Sequence, residues 1–304
     1  MVRSILAVCA IAVASSQPAL AAPGAYDTPE AAVEAVIAAL DARDRAALVA
    51  VFGPESEDVI LSDDPEENRE TWGEFLSAYN EMHRVVIDEA GDVAVLYIGT
   101  EQWPFPAPLD RGEDGKWRFD AEEARDEVLT RRIGENELDV IELLRAYHRI
   151  QAAYRQVDYD GDGVMEFASA ILSDEGERNG LYWVSEPGAP ESPIGDFVAR
   201  ASADGYSLGG DVSAPEPFSG YYFRILDGQG ENAPGGAYGY VVGGNMVAGH
   251  AMIAFPSAYG ETGIMSFLVG ENGVVFDADL GEETLTTAAG ITTYDPDERW
   301  APVE

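Results

Sequence analysis

The segment Asp158-Tyr159-Asp160-Gly161-Asp162-Gly163-Val164-Met165-Glu166 lies near the middle of the chain, where a helix-rich half gives way to a half rich in strands and turns. Aspartates at alternate positions followed by glycine form the first half of an EF-hand-type calcium loop. A hard divalent cation binds six or more oxygens at about 2.5 Å, and this spacing directs the carboxylates of a tight loop inward. The segment therefore predicts a divalent-cation site, with Ca²⁺ as the expected ion.

Five residues supply the predicted ligands of this loop. They are Asp158, Asp160, Asp162, the carbonyl of Val164, and Glu166. Gly163, at the sixth position, permits a sharp backbone turn. The loop departs from an EF-hand at position twelve, where Ser169 replaces a bidentate glutamate, so we expect a looser site completed by Asp174 or Glu175. The alternative is an acid-rich turn that ends a helix, since Asp and Gly are ordinary turn residues.

The N-terminus has the pattern of a secretory signal peptide. Arg3 precedes an apolar run over residues 5–13 and the cleavage signal Ala19-Leu20-Ala21, and this run is too short to span a membrane. We expect cleavage after Ala21, which makes residues 1–21 the signal peptide. Cys9 lies inside it, so the processed chain has no disulfide. These features predict a periplasmic or secreted bacterial protein, without membrane insertion after signal removal.

The composition is strongly acidic, with 56 Asp and Glu residues against 18 Lys and Arg residues and a formal net charge of −38. Such a field repels nucleic-acid phosphates, so nucleic acid is not an expected partner. The acids are spread along the chain, which is typical of a well-hydrated surface. Attraction of cations or of a basic partner is the alternative. The expected partner is an unknown envelope protein or a small ligand.

The first half of the chain, residues 25–133, is predicted to form a unit of helices and antiparallel strands. The expected elements are helices that begin after the capping residues Thr28 and Asp44, a helix over residues 71–79, and strands over residues 93–98 and 116–119. A hairpin turn at Asp114-Gly115 precedes the last strand. This order of elements resembles the cone-shaped nuclear-transport-factor-2-like fold.

The second half, residues 136–304, is predicted to contain a long helix, the acidic loop and an antiparallel sheet, which makes the fold class α+β. Asn136 is the expected N-cap of the long helix, because apolar residues recur at helical spacing from Val140 to Val157. Further helices are expected over residues 165–172 and 197–203, and strands over residues 221–226, 238–242, 252–255, 264–269 and 274–278. A long helix laid on hairpins resembles the soluble domain of type IV pilins and pseudopilins.

Eight short segments also resemble, in the same order, a bacterial family of secreted proteins known as domain of unknown function twenty-nine-fifty. They are residues 28–33, 103–106, 115–120, 131–138, 158–163, 180–183, 220–226 and 234–238. The resemblance extends from about Tyr26 to the C-terminus. It implies an envelope or secreted protein with no assigned activity, and it supplies no catalytic residues.

A possible catalytic constellation lies in the second half of the chain. The segment Gly205-Tyr206-Ser207-Leu208-Gly209 has the spacing of a nucleophile elbow, and Asp227 and His250 follow in the order of an α/β-hydrolase. An elbow needs a strand before the serine and a helix after it, whereas a helix is predicted before Ser207. We therefore expect a non-enzymatic binding or structural envelope protein. The alternatives are a serine hydrolase that uses Ser207 and His250, and an assembly factor for envelope or pilus-like proteins.

Overall fold

The computed structural model describes residues 23–61, 64–185, 190–195, 201–202, 206–208, 211–213 and 215–303. The chain has the predicted α+β class and divides into two compact units, Met1–Val128 and Leu129–Glu304. The predicted signal peptide lies outside the described residues, and so does most of the helix predicted over residues 197–203.

Helices form the first part of the N-terminal unit: α1 (Pro29–Ala42), α2 (Arg45–Phe52), α3 (Glu57–Ile60) and α4 (Pro65–Glu81). Oγ1 of Thr28 accepts a hydrogen bond from the N–H of Ala31 at 3.2 Å, and Oδ1 of Asp44 accepts one from Ala47 at 3.0 Å. Both predicted caps are therefore confirmed. The helix predicted over residues 71–79 is longer than expected, because Asp64 caps it and a proline occupies its first position.

An antiparallel sheet completes the N-terminal unit. Its strands are β1 (His83–Ile87), β2 (Val93–Ile98), β3 (Trp103–Pro104), β4 (Leu109–Arg111) and β5 (Trp117–Phe119). The strand order is β1-β2-β4-β5, and β3 also pairs with β2. The prediction of a strand over residues 93–98 is confirmed, whereas β1 was not predicted. Val36 of α1, Phe52 of α2 and Leu96 of β2 are buried together in the core of this unit.

The long helix α5 (Ala121–Tyr154) begins earlier than predicted. Oδ1 of Asp120 accepts hydrogen bonds from the N–H groups of Glu122 and Glu123, each at 2.9 Å, and so caps the first turn. The prediction that Asn136 is the N-cap is therefore wrong. Asn136 lies inside the helix, and its Nδ2 donates to the carbonyl of Thr262 at 2.9 Å. The division between the two units falls within α5, after Val128.

The C-terminal unit contains short paired strands and a five-stranded antiparallel sheet. The short strands are β6 (Ala170–Leu172), β7 (Gly180–Tyr182), β8 (Tyr206–Leu208), β9 (Asp211–Ser213), β11 (Gly228–Gln229), β12 (Tyr238–Gly239), β13 (Val241–Val242) and β14 (Asn245–Met246). The five-stranded sheet has the order β10 (Tyr221–Leu226), β15 (Ala251–Pro256), β16 (Met265–Gly270), β17 (Val275–Asp279) and β18 (Ala301–Pro302). One further helix, α6, spans Thr284–Ala289.

Most strand predictions in this unit are confirmed, but two elements differ. The strand predicted over residues 238–242 is divided into β12 and β13. The helix predicted over residues 165–172 is wrong, because Phe167 forms an isolated bridge with Met246 and β6 pairs in parallel with β7. These partners come from elsewhere in the chain, and their backbone groups replace the hydrogen bonds of a helical turn.

One face of α5 packs on the C-terminal sheet. Val140, Leu144 and Tyr147 are buried in one cluster with Phe223 of β10 and Phe267 of β16. The apolar spacing that predicted the helix therefore marks its core-facing side. The pilin-like arrangement stays a prediction.

Among the described residues, no helix is both long enough and apolar enough to cross a bilayer.

Candidate metal centre

The acidic loop, residues 158–166, follows the end of α5. Gly161 and Gly163 have φ angles of 79° and 89°. These values lie in the left-handed region, which glycine adopts without the steric penalty of a Cβ atom. Two such residues so close together turn the backbone tightly, as the predicted role of Gly163 requires.

Three aspartates of the acidic loop converge. Asp158, Asp160 and Asp162 each present a carboxylate oxygen, and these three oxygens lie within 4.8 Å of one another. Asp158 is half-buried, and the other two side chains are exposed. Two oxygens on opposite sides of a calcium ion, each about 2.4 Å from it, are about 4.8 Å apart. The three oxygens are therefore close enough together to contact one ion of this size, and without a cation the three charges repel one another.

The same carboxylates organise the backbone of the loop. Asp158 accepts hydrogen bonds from the N–H groups of Gly161 at 2.7 Å and Gly163 at 3.0 Å, and Asp162 accepts one from Val164 at 2.7 Å. Partial desolvation acts to raise the pKa of Asp158, but the donated N–H groups outweigh it and the pKa lies below its usual range. A carboxylate oxygen that accepts one N–H keeps a second lone pair for an ion.

Glu166 is anchored separately from the three aspartates. Its Oε2 accepts a hydrogen bond from the backbone N–H of Met246 at 3.1 Å. Burial raises the pKa of Glu166, and the negative charges of Asp160, Asp162 and Asp158 raise it further. The structure therefore brings three of the predicted ligands together and places Glu166 close enough to be affected by their charges.

Asp174, one of the two acids predicted to complete the site, bonds to Asn179. Oδ2 of Asp174 accepts a hydrogen bond from Nδ2 of Asn179 at 2.7 Å, and the N–H of Asp174 donates to Oδ1 of Asn179 at 3.0 Å. These bonds close a separate turn before β7. Among the described residues, neither Asp174 nor Glu175 belongs to the group of converging carboxylates, so completion of the site by one of them stays a prediction.

A distant hairpin, β13–β14, supports the loop in a way that the sequence did not indicate. Nδ2 of Asn245 donates a hydrogen bond to Oδ2 of Asp162, although the two residues are 83 positions apart. The N–H of Phe167 donates to the carbonyl of Met246 at 2.8 Å. The acidic loop is therefore attached to β14 at both its centre and its end, and no local pattern signals such contacts.

Comparison with protein families gives a match over residues 24–303 to a family described as a protein of unknown function, DUF2950. The chain belongs to the DUF2950 family. This confirms the resemblance carried by the eight sequence segments, and it assigns no activity. No curated protein and no solved structure matches the chain. The resemblances to nuclear-transport-factor-2-like cones and to pilin domains stay predictions.

His250 of this DUF2950 chain, the predicted partner of Ser207, is buried among aromatic rings. It is 1 % exposed, and its ring centroid lies 4.7 Å from that of Phe167, which meets it edge-on. Burial, together with the smaller effects of the neighbouring charges of His148 and Arg155, lowers the pKa of His250 to about 3. Such a histidine is a poor general base at neutral pH. The side chain of Ser207 lies outside the described residues.

The DUF2950 chain also has an apolar cavity of about 240 Å³ between α5 and the C-terminal sheet. Apolar side chains from α5, β6, β7, β10 and β15 form much of its wall: Leu143, Ile150, Ile171, Leu181, Phe223 and Met252. Tyr147 also lines it, and its hydroxyl donates to the carbonyl of Ala251 at 3.2 Å. Among the described residues that line the cavity, no other side chain titrates.

Proposed function

We propose that this DUF2950 protein is an exported, non-enzymatic binding or structural protein of the bacterial envelope, and that its acidic loop binds a divalent cation. The observation that carries the cation site is the convergence of three aspartate oxygens within 4.8 Å of one another. Ca²⁺ is the expected ion, because it accepts carboxylate and carbonyl oxygens in flexible geometry, whereas Mg²⁺ demands a near-ideal octahedron.

The role of the cation is structural. Asp162 and Glu166 both hold bonds to β14, so the loop joins the end of α5 to the β13–β14 hairpin within the C-terminal unit. A cation would remove the repulsion between the carboxylates that make this connection. An ion that binds only the folded state stabilises it by about 2.7 kcal/mol at a hundredfold excess over its dissociation constant.

Export is the second component of this proposal. It is supported by the charged, apolar and small-residue regions of residues 1–21 and by the restriction of cysteine to position 9. N-terminal sequencing of protein recovered from the bacterial periplasm or medium is expected to begin at Ala22. A mature chain that still begins at Met1 and remains with the cytoplasmic fraction would exclude export.

The cation site is tested by thermal unfolding and calorimetric titration of the exported chain, first with chelator and then with Ca²⁺. Saturating Ca²⁺ is expected to raise the melting temperature by about 5–10 °C, from the free energy above and the usual relation for a unit of this size. Equal melting temperatures under both conditions, with no heat of titration, would remove the cation from the proposal.

Asp160→Asn is the informative variant, because Oδ1 of Asp160 accepts the N–H of Asp162 at 3.2 Å and an asparagine oxygen retains that bond. The variant is expected to fold but to lose most of the calcium-dependent shift. Asp41→Asn is the matched control, since Asp41 is an exposed aspartate in α1, far along the chain from the loop. It is expected to keep the full shift. Equal responses of the two variants would place the ion elsewhere.

A further inference from the structure

β1 forms an open edge of the N-terminal sheet. Among the strands that the structure describes, the order β1-β2-β4-β5 leaves β1 with a neighbour on one side only. All of its residues except Val85 are exposed, and two of them are apolar, with Val86 38 % exposed and Ile87 45 % exposed. An edge strand with exposed apolar side chains is a template for pairing with another strand.

Two hydrogen bonds that flank β1 fix the direction of its backbone groups. The N–H of Asp88 donates to the carbonyl of Val93 at 2.9 Å, and the N–H of Gly99 donates to the carbonyl of Met82 at 2.8 Å. In an antiparallel pair, opposed residues alternate between hydrogen-bonded and non-hydrogen-bonded pairs. Since residues 82 and 88 both bond toward β2, the even-numbered residues between them also form the hydrogen-bonded pairs with β2. The N–H and C=O groups that point away from β2 are those of His83, Val85 and Ile87. No described residue bonds to them.

The charges along β1 are complementary to those of a second copy in antiparallel orientation. Arg84 lies near the start of the strand, and Asp88 follows its end. If two copies pair about Val86, each Arg84 lies opposite Asp88 of the other copy, and Val85 lies opposite Ile87. This register also places the outward backbone groups of Val85 and Ile87 in hydrogen-bonded pairs. Pairing about Val85 would instead place Arg84 opposite Val86 and leave the charges unmatched.

We propose that two copies of this chain associate through β1, antiparallel and with the two-fold axis at Val86, to form one continuous ten-stranded sheet from two five-stranded sheets. The occupant of the edge is a second copy because the same strand supplies both partners of each ion pair. Each chain has a net charge of −38, so salt that screens the long-range repulsion is expected to strengthen the dimer. The association does not depend on the proposed cation site.

A disulfide experiment tests the register. Val86 opposes itself in a non-hydrogen-bonded pair, where Cα atoms lie about 4.5 Å apart, within the range of a disulfide. In a Cys9→Ser background, Val86→Cys is therefore expected to form a covalent dimer under mild oxidation. Ile87→Cys is the matched control. In this register residue 87 lies opposite residue 85 of the other copy, so the two copies of residue 87 are separated by two residues along the strand direction, beyond the reach of a disulfide. Equal cross-linking of the two variants would overturn the register.

Light scattering of the otherwise native exported chain, in high salt and at high micromolar concentration, tests the association itself. The expected mass is twice that of the monomer. Ile87→Pro removes an N–H that points away from β2 and leaves the bonds to β2 intact. Arg84→Glu places two negative charges opposite each other in the proposed dimer. Each variant is expected to have the mass of a monomer. Arg69→Glu, the same charge change on α4, is expected to leave the dimer intact. A monomeric native chain, or a dimer that survives Ile87→Pro with an unchanged melting temperature, would overturn the proposal.

Discussion

Oε2 of Glu166 accepts a hydrogen bond from the backbone N–H of Met246 at 3.1 Å, and this bond ties the acidic loop to a hairpin 80 residues further along the chain. It also holds a fourth carboxylate near Asp158, Asp160 and Asp162, whose charges add to burial in raising the pKa of Glu166. An acid held where its ionisation is unfavourable suits a site that is completed by a cation.

Glu166→Gln is expected to have opposite effects on stability and on calcium affinity. The glutamine oxygen still accepts the N–H of Met246, but the charge is gone. The pKa of Glu166 is raised in the folded state, so the free energy of unfolding of the unsubstituted chain falls as the pH rises from the unfolded pKa through the folded pKa. The glutamine variant does not ionise at this position and avoids this loss. At neutral pH with chelator, urea unfolding is expected to show a more stable variant. Calcium titration is expected to show affinity lower by about tenfold or more.

The control for this prediction is Glu282→Gln, at an exposed glutamate before α6. It removes one negative charge at a site far along the chain from the loop and is expected to change neither quantity. If Glu166→Gln were less stable than the unsubstituted chain in chelator, repulsion would not be the dominant effect at this position.

Gly163→Ala and Gly134→Ala are expected to change stability in opposite directions. Gly163 has a φ angle of 89°, where a Cβ atom is strained, so the substitution is expected to cost about 1 kcal/mol and to weaken calcium binding. Gly134 lies within α5, and nothing lies within 4 Å of the position that its Cβ would take. Alanine there is expected to stabilise the chain by about 1 kcal/mol. Urea unfolding of both variants measures this, and the same sign for both would contradict it.

Local signals in the sequence located the features that depend on a few neighbouring residues. The caps at Thr28 and Asp44 each bond to a residue three positions away, and the Asp114-Gly115 turn joins β4 to β5, with a φ angle of 75° at Gly115. The aspartate spacing of the loop is equally local. In each case the residue type and its spacing fix the geometry before any tertiary contact forms.

Features that depend on distant partners were not predictable in this way. The predicted start of α5 is too late, because charged residues dominate the first part of the helix and the regular spacing of large apolar residues begins only at Val140. The support of the loop by Asn245 and Met246 comes from a hairpin more than 75 residues away. Phe167 was assigned to a helix, since nothing near it in sequence indicates its bridge to Met246.

Gln151→Leu is expected to destabilise the C-terminal unit strongly. The side chain of Gln151 is fully buried, its Nε2 donates to the carbonyl of Ala168 and its Oε1 accepts the N–H of Ala168, each at 2.9 Å. Leucine leaves both backbone groups of Ala168 without a partner, at a cost of about 3 kcal/mol or more. Urea unfolding measures the loss. Gln156→Leu, at an exposed glutamine just after α5, is expected to change stability by less than about 0.5 kcal/mol. Equal losses would show that Gln151 does not act as a bridge.

His250 is expected to make the folded chain sensitive to acid. Its pKa is lowered from 6.5 to about 3, with burial as the largest cause. As pH falls below 6.5 the unfolded chain takes up a proton at this position while the folded chain does not, so folding stability falls, and the loss is complete near pH 3. This single group is expected to contribute a slope of about 1.4 kcal/mol per pH unit within that interval.

His250→Leu tests this contribution, because leucine keeps an apolar side chain against Phe167 and removes the titration. Urea unfolding of both chains is measured from neutral pH down to about pH 4. The free energy of unfolding of the variant minus that of the unsubstituted chain is expected to rise as the pH falls, since carboxylate protonation acts on both chains and only the unsubstituted chain has the histidine slope. The leucine variant gains relative stability in acid whatever its stability at neutral pH. Two parallel curves would mean that His250 takes up a proton equally in the folded and unfolded states, which would contradict the prediction.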